Sequence, residues 1–181
     1  FRGQPAHPPG RRIGWDGPTP DLCGPASSQV NYLGLLKSAT LRTFYMARRL
    51  TTILSADVVG YCRLMAADEA GTLDVLKSHR AELINPKAAQ YRGRTVKLMG
   101  DGALMEFDSV VDAVNFSVDV QSGMRQRNTN VPDDEQILFR IGVNIGDVIV
   151  DGADIYGDGV NLAARLEKLA EPGGICISKQ A

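Results

Sequence analysis

The stretch TVKLMGDGALMEF, residues 95–107, decides the fold because its pattern predicts a β-hairpin. Two hydrophobic runs flank Gly100-Asp101-Gly102, and an Asp-Gly pair between such runs is the strongest short-range signal for a hairpin turn. The elements predicted on either side of this hairpin determine the kind of sheet that it joins.

The sequence before the hairpin predicts one strand and one helix. Leu50–Val59 is rich in β-branched and apolar residues, as expected of a buried strand, and Gly60 ends it. Asp68–Ile84 carries apolar residues on one side, which indicates a helix. Pro86 falls where that helix should stop or kink.

The sequence after the hairpin predicts a second helix and then a strand. Val110–Met124 has the helical period. Ile137–Ile145 alternates between apolar and polar residues, which is typical of a half-buried strand. Gly146-Asp147 should break this strand before a further apolar run at Val148–Val150.

A third helix at about Gly157–Ala170 and a strand at Ile175–Ser178 complete the pattern. The element order is therefore β-α-β-β-α-β-α-β. This order predicts an α+β sandwich of the ferredoxin-like kind, with a mainly antiparallel sheet and helices on one face.

Composition excludes several classes of protein. The 181 residues are 44% hydrophobic and 23% charged, with 20 Lys and Arg against 21 Asp and Glu, so no basic excess points to nucleic acid. No uninterrupted apolar run reaches the ~18 residues that a transmembrane helix needs. Three scattered cysteines are too few for a disulfide framework or a zinc module, which favours a reduced, cytoplasmic setting.

The N-terminal quarter differs from the rest in its amino-acid composition. Residues 1–45 are dense in Pro, Gly and Ser without a hydrophobic period, and we interpret them as a disordered or linker-like segment. Met46 precedes the first globular pattern and is a candidate natural start. We expect one globular domain over residues 46–181.

Two aspartates are candidate metal ligands. Asp57 lies near the end of an apolar strand, where no turn requires it and where an unpaired carboxylate is unfavourable. Asp101 lies at the tip of the hairpin, where Asp-Gly is also an ordinary turn pair. If adjacent strands bring the two together, they form a hard-oxygen site for Mg²⁺ beside substrate phosphates.

Other polar groups could contact a nucleotide. The backbone N–H groups that follow Asp57, where strand passes into helix, could hold a phosphate, and they belong to Val59, Gly60 and Tyr61. Lys97 interrupts an apolar strand four residues before Asp101, either as an edge lysine or as a positioned donor on the same face as that aspartate.

The third predicted helix carries a further polar set. Asn161 and Arg165 are spaced i, i+4 and therefore share a helix face, beside an apolar stripe of Leu162, Leu166 and Leu169. Arg165 could instead pair with Glu167 or remain solvated. Asp154 precedes this helix in a stretch where Asp often serves turns.

Taken together, the segments resemble the catalytic domain of class III nucleotidyl cyclases, particularly the bacterial adenylate cyclase type. The resemblance covers about residues 46–181. It is carried by four blocks in the family's order: ILSADVVGYCRLM (53–65), TVKLMGDGALMEF (95–107), FRIGVNIGDVIV (139–150) and DIYGDGVNLAARLE (154–167). The family's domain continues into further strands, so the resemblance also implies that the last strands are missing here.

The resemblance implies roles for individual residues. Asp57 and Asp101 match the family's metal-binding aspartates, which hold two Mg²⁺ or Mn²⁺ ions per active site, and Val58 would add its backbone carbonyl. Lys97 and Asp154 match the pair that reads the purine. A lysine donor suits adenine N1 and an aspartate acceptor suits the exocyclic amine, whereas guanine presents the reverse polarity.

The resemblance also implies a reaction and an assembly. Asn161 and Arg165 match the residues that orient the ribose and stabilise charge on the α-phosphate. The expected activity is that of a phosphorus-oxygen lyase, an adenylate cyclase that makes 3′,5′-cyclic AMP and pyrophosphate from ATP for cyclic-nucleotide signalling. In this family the site is shared between subunits, so a chain with both residue sets is expected to form a homodimer.

Two alternatives remain open from the sequence. A guanylate cyclase is the near neighbour, and Lys97 with Asp154 disfavours it. A catalytically silent cyclase-like module that dimerises and transmits regulation is the other. Such modules usually lose a metal aspartate or the Asn/Arg pair, and both are present here.

Overall fold

The computed structural model describes residues 47–181, so the predicted linker segment at residues 1–45 and Met46 lie outside the described residues. Within residues 47–181, six strands form one sheet: β1 (Ala47–Val58), β2 (Arg94–Met99), β3 (Gly102–Phe107), β4 (Phe139–Asp151), β5 (Asp154–Tyr156) and β6 (Ile175–Ile177). The α-helices of this part are α1 (Tyr61–Ala67), α2 (Glu69–His79), α3 (Asn85–Gln90), α4 (Val110–Asn128) and α5 (Asp158–Leu169).

The sheet has the strand order β2-β3-β1-β4-β5, with antiparallel pairing along this path. β6 pairs in parallel with β4. The order β4-β1-β3-β2 is that of a ferredoxin-like sheet, so the predicted α+β fold is confirmed. β4 runs unbroken through Gly146-Asp147, where the sequence analysis wrongly expected a break, because β1 pairs with it along this whole stretch.

The decisive hairpin forms as predicted. Met99 pairs with Gly102 across a two-residue loop of Gly100 and Asp101. Gly100 has a φ of 64°, whereas Asp101 does not have a positive φ. A positive φ at the first loop residue alone is the feature of a type II′ turn, which places glycine at that position.

The two faces of the sheet carry different layers. One face, here called the α4 face, packs the main core against α4, and its strand residues include Leu54, Met105 and Ile141. The opposite face, here called the α5 face, packs against α5. Gly142 permits this close approach, because a Cβ there would clash with the Ala163 carbonyl oxygen. Helices therefore cover both faces, which corrects the expectation of one helical face.

The first helical region is longer and less regular than predicted. The expected helix at Asp68–Ile84 is α2 followed by a π-helical turn at Arg80–Ile84, here called the π turn, and then by α3. Pro86 does not end the helix: it lies in the first turn of α3, directly after the π turn, and the backbone of Ile84 and Asn85 before it stays helical.

The sheet curls until its two edge strands meet. Arg94 of β2 donates from Nη1 to the carbonyl oxygen of Ala153, in the turn between β4 and β5, at 2.8 Å. The side chains of Lys97 and Asp154 close the same gap. Strand β5, which the sequence analysis did not predict, thus lies beside β2 although they are at opposite ends of the strand order.

Candidate active site

The two predicted metal ligands lie together. Asp57 is the second-last residue of β1, Asp101 occupies the hairpin loop, and the pairing of Ala56 with Ala103 sets these positions side by side. Partial burial, together with a hydrogen-bonding contact and charge repulsion from the Asp57 carboxyl, raises the pKa of Asp101. A divalent cation bound by both carboxylates would relieve this repulsion.

The donor set at this position fits a magnesium-type ion that shares its ligands with a substrate. Within residues 47–181, no cluster of three or more His, Cys, Asp or Glu side chains could hold a metal ion. Two carboxylates leave most of an octahedral shell to backbone carbonyls, water and phosphate oxygens, which is how Mg²⁺ binds beside nucleotides.

Arg140 is a site residue that the sequence analysis missed. It faces Asp57 across β1 and β4, and its Nη2 donates to Asp57 Oδ2 at 3.3 Å. Its Nε is buried without a hydrogen-bond partner among the described residues. The alternation of β4 assigned Arg140 to the face away from Phe139 and Ile141, which was the available signal.

Of the three backbone N–H groups that were predicted to hold a phosphate, one is already hydrogen-bonded within the chain. The Val59 N–H donates to the Leu138 carbonyl at 2.8 Å and is therefore not free for a phosphate. Gly60 has a φ of 66° and precedes α1. The N–H groups of Gly60 and Tyr61 lie at the start of that helix, where backbone N–H groups have no intrahelical partner. Of the three predicted phosphate-binding N–H groups, these two therefore remain candidates. Val58 is buried, and its backbone pairs with Phe139.

Lys97 and Asp154 form an ion pair at the edge of the curled sheet. Lys97 Nζ lies 3.2 Å from Asp154 Oδ2, and half of the lysine side chain is exposed. The hydroxyl of Tyr156 donates to the same oxygen at 3.0 Å, and the Ile155 N–H donates to Oδ1 at 2.9 Å. The Tyr156 bond is the largest of the causes that lower the pKa of Asp154. Lys97 thus partners Asp154 and not Asp101.

A second ion-pair cluster holds the turn next to Asp154. Glu106 of β3 is only 6% exposed and accepts from Arg49 and, at 3.0 Å, from Arg94 Nη2. Because Arg94 also holds the Ala153 carbonyl, the buried carboxylate anchors the turn that presents Asp154. No local pattern in the sequence indicates this cluster, since its members come from three separate strands.

Asn161 and Arg165 lie on the exposed side of α5. Glu167 faces the sheet instead, where it is buried and accepts from the Ser55 hydroxyl at 2.8 Å, so it does not pair with Arg165. Burial raises the pKa of Glu167.

The expected apolar stripe of α5 does not face the core. Leu162 is 37% and Leu169 is 73% exposed, and the helix buries Gly159 and Ala163 against the sheet instead. This outcome is imposed by Gly142, which leaves room for the backbone of α5 and not for leucine side chains. Exposed leucines therefore lie next to the Asn/Arg pair.

Comparison with protein families gives one match. The model of the adenylate and guanylate cyclase catalytic domain matches residues 47–181. A protein of Rhizobium meliloti (strain 1021) that is named as an adenylate cyclase is 47% identical over 131 residues, which are 72% of this chain and 22% of that protein. The chain thus spans about a fifth of this relative's length. No helix within residues 47–181 has the length and apolar character needed to cross a bilayer.

Solved structures agree with this match. The adenylate/guanylate cyclase/hydrolase from Silicibacter pomeroyi superposes with a TM-score of 0.70 at 47% identity, over 74% of this chain and 78% of that one. The guanylyl cyclase Cya2 superposes with a TM-score of 0.64 at 26% identity, over 74% and 77% of the two chains. The similar proteins thus include one named as an adenylate cyclase and one named as a guanylyl cyclase.

Proposed function

The chain belongs to the adenylate and guanylate cyclase catalytic domain family, and we propose that it is an adenylate cyclase that converts ATP to 3′,5′-cyclic AMP and pyrophosphate. The ion pair of Lys97 and Asp154 carries this proposal. A cationic donor and an anionic acceptor lie side by side there, and adenine offers the complementary order, with N1 as acceptor beside the exocyclic amine as donor. Guanine offers N1–H as a donor beside O6 as an acceptor. In the same order, the lysine donor would face a donor and the aspartate acceptor would face an acceptor.

The acidic pair supports the proposed metal-dependent chemistry. Asp57 and Asp101, with the backbone carbonyl of Val58, would hold two Mg²⁺ or Mn²⁺ ions. These ions would supply positive charge beside the triphosphate and lower the pKa of the ribose 3′-hydroxyl. The two carboxylates fix where that hydroxyl and the α-phosphate meet, for in-line attack of the 3′-oxygen with pyrophosphate as leaving group.

Arg140 and the start of α1 would hold the triphosphate. Arg140 donates to Asp57, and its buried Nε has no hydrogen-bond partner among residues 47–181. Once cations neutralise Asp57, its guanidinium is free to donate to phosphate oxygens, to which a planar fork is well suited. The N–H groups of Gly60 and Tyr61 would contribute further donors.

Asn161 and Arg165 would act across a homodimer interface. Both lie on an exposed helix face beside the exposed side chains of Leu162 and Leu169, as expected of a surface that a second subunit covers. Each would then reach the metal aspartates of the partner, with Asn161 orienting the ribose and Arg165 stabilising charge on the α-phosphate. On this proposal the homodimer has two equivalent sites, a monomer is inactive, and the enzyme works in the cytoplasm on cellular ATP.

The proposal is tested by measuring cyclic-nucleotide formation from ATP and, separately, from GTP with Mn²⁺, beside Asp57→Ala as the control. We expect cyclic AMP from ATP and none from the variant. Product mainly from GTP would overturn the purine assignment. No product from a preparation shown to be dimeric would favour the silent regulatory module.

A further inference from the structure

A cavity of about 190 Å³ lies on the α4 face, between the sheet and the π turn. Its floor consists of core side chains: Met105, Phe116, Val120, Phe139 and Ile141. Leu98 of β2 lines it as well and is 55% exposed, so the cavity opens to solvent beside this leucine. The cavity is separate from the purine pair, because Lys97 and Leu98 point to opposite faces of β2.

The lining predicts the chemical class of an occupant. The floor offers only carbon and sulfur atoms, while the polar lining residues of the described chain come from the π turn, α3, β2 and the hairpin loop: Arg80, Asn85, Thr95 and Asp101. Native interiors contain few voids larger than a water molecule. Apolar cavities of about 150 Å³ stay dry and bind benzene or xenon. A void of this size therefore suits a small apolar molecule built on one ring.

The cavity wall is joined to the hairpin loop. Arg80 of the π turn donates from Nη2 to the carbonyl oxygen of Gly100 at 2.7 Å. Gly100 is bonded directly to Asp101, and both Arg80 and Asp101 line the cavity. A molecule between the π turn and the sheet would therefore contact the structure that positions the Asp101 carboxyl.

We propose that this cavity binds a small apolar, ring-sized ligand and that its occupation restrains the loop carrying Asp101. Binding fills the void and replaces dispersion contacts that the empty lining lacks. A restrained loop presents the Asp57 and Asp101 carboxylates to cations in a fixed geometry and so strengthens metal binding. The ligand site stands without reference to any activity, whereas its effect on metal binding rests on the proposed function.

Binding is tested with fluorobenzene as the probe, followed by ¹⁹F NMR on the full chain without nucleotide or metal. We expect a saturable shift of the fluorine signal. Val120→Phe fills the cavity from α4 and should weaken binding about tenfold or more. Val118→Phe is the matched control, because it adds the same ring on the exposed side of α4 and should leave binding unchanged. Should Val120→Phe fail to fold, Leu98→Trp at the exposed mouth should also abolish binding.

The coupling to the loop is tested by titrating Mn²⁺ in the cyclase assay with and without fluorobenzene. We expect the half-saturating Mn²⁺ concentration to fall in the presence of the probe, and Arg80→Gln to keep probe binding but lose this shift. No saturable binding, or equal binding by Val120→Phe and the parent, would overturn the ligand site. Binding without any change in Mn²⁺ dependence would overturn the coupling alone. If no cyclase activity exists, the proposed function fails while the fluorine titration still decides the site.

Discussion

At the scale of single residues, the site depends on carboxylates whose surroundings differ. Asp101 lies against Asp57, and its pKa is raised by burial and by that neighbour. Asp154 accepts from Tyr156, Ile155 and Lys97, and its pKa is lowered. The repulsion between Asp101 and Asp57 favours the binding of a cation. The hydrogen bonds to Asp154 keep this acceptor charged and oriented.

Lys97→Met tests the purine assignment. Loss of the cationic donor should lower kcat/KM for ATP by about 10- to 100-fold, because a hydrogen bond to a charged group contributes about 1.5–3 kcal/mol. Activity on GTP should fall less, so the ratio of the two kcat/KM values should drop. Lys77→Met, at an exposed position of α2, is the matched control. An unchanged ATP-to-GTP ratio in Lys97→Met would contradict the assignment.

Asp101→Asn separates activity from stability. The folded chain binds the Asp101 proton more tightly than the unfolded chain does, because its folded pKa is raised. The free energy of unfolding therefore falls as pH rises from the usual carboxyl range through that raised pKa.

Removing this charge should raise the melting temperature of the metal-free chain at pH 7 and lower cyclase activity at least about 100-fold. Thermal unfolding at pH 4 and pH 7 checks the sign, since the gain should shrink at pH 4. Asp108→Asn, at an exposed position beyond the other end of β3, is the control. A variant that melts at a lower temperature at pH 7 would show that the carboxylate is not under repulsion.

At the scale of elements, the curl of the sheet brings Lys97 and Asp154 together. β2 and β5 are at opposite ends of the strand order, and Arg94 holds them together through Glu106 on one side and the Ala153 carbonyl on the other. Glu106 is buried between two arginines, a geometry in which a charged pair is screened little by water.

Arg94→Met should loosen the turn that carries Asp154. We expect kcat/KM for ATP to fall about tenfold, mainly through KM, since Arg94 positions Asp154 and contacts no reacting atom. The ATP-to-GTP ratio should fall with it. Arg92→Met is the matched control, because it removes an ion pair with Asp112 on the exposed surface. If both variants had the same small effect, the contacts of Arg94 with Glu106 and with the Ala153 carbonyl would have no positioning role.

The sequence predicted those features that arise from local patterns. The hairpin at residues 95–107 and the order of most elements along the chain follow from alternation and turn residues, and Asp57 stood out because a strand interior disfavours it. The curl, the π turn and the packing of α5 through Gly142 depend on contacts between distant segments. The alternation of β4 assigned Arg140 to a face, but its contact with Asp57, like the ion pairs of Glu106, depends on the alignment of separate strands.

At the scale of the whole molecule, the two halves of the proposed chemistry lie on different surfaces. The acidic pair is at the junction of β1 and the hairpin loop, and Asn161 and Arg165 lie on the exposed side of α5 beside exposed leucines. A symmetric homodimer would join one half from each subunit at two sites. The central claim is therefore that catalysis occurs at a shared interface.

The most direct test of this claim is complementation between Asp57→Ala and Arg165→Ala, with cyclic AMP formation from ATP as the readout. Each variant alone should be nearly inactive, because every site in its homodimer lacks one residue. Mixed in equal amounts, half of the dimers are heterodimers and each has one intact site, so activity should return to about a quarter of the parent's. An inactive mixture in which heterodimers are shown to form would contradict the account.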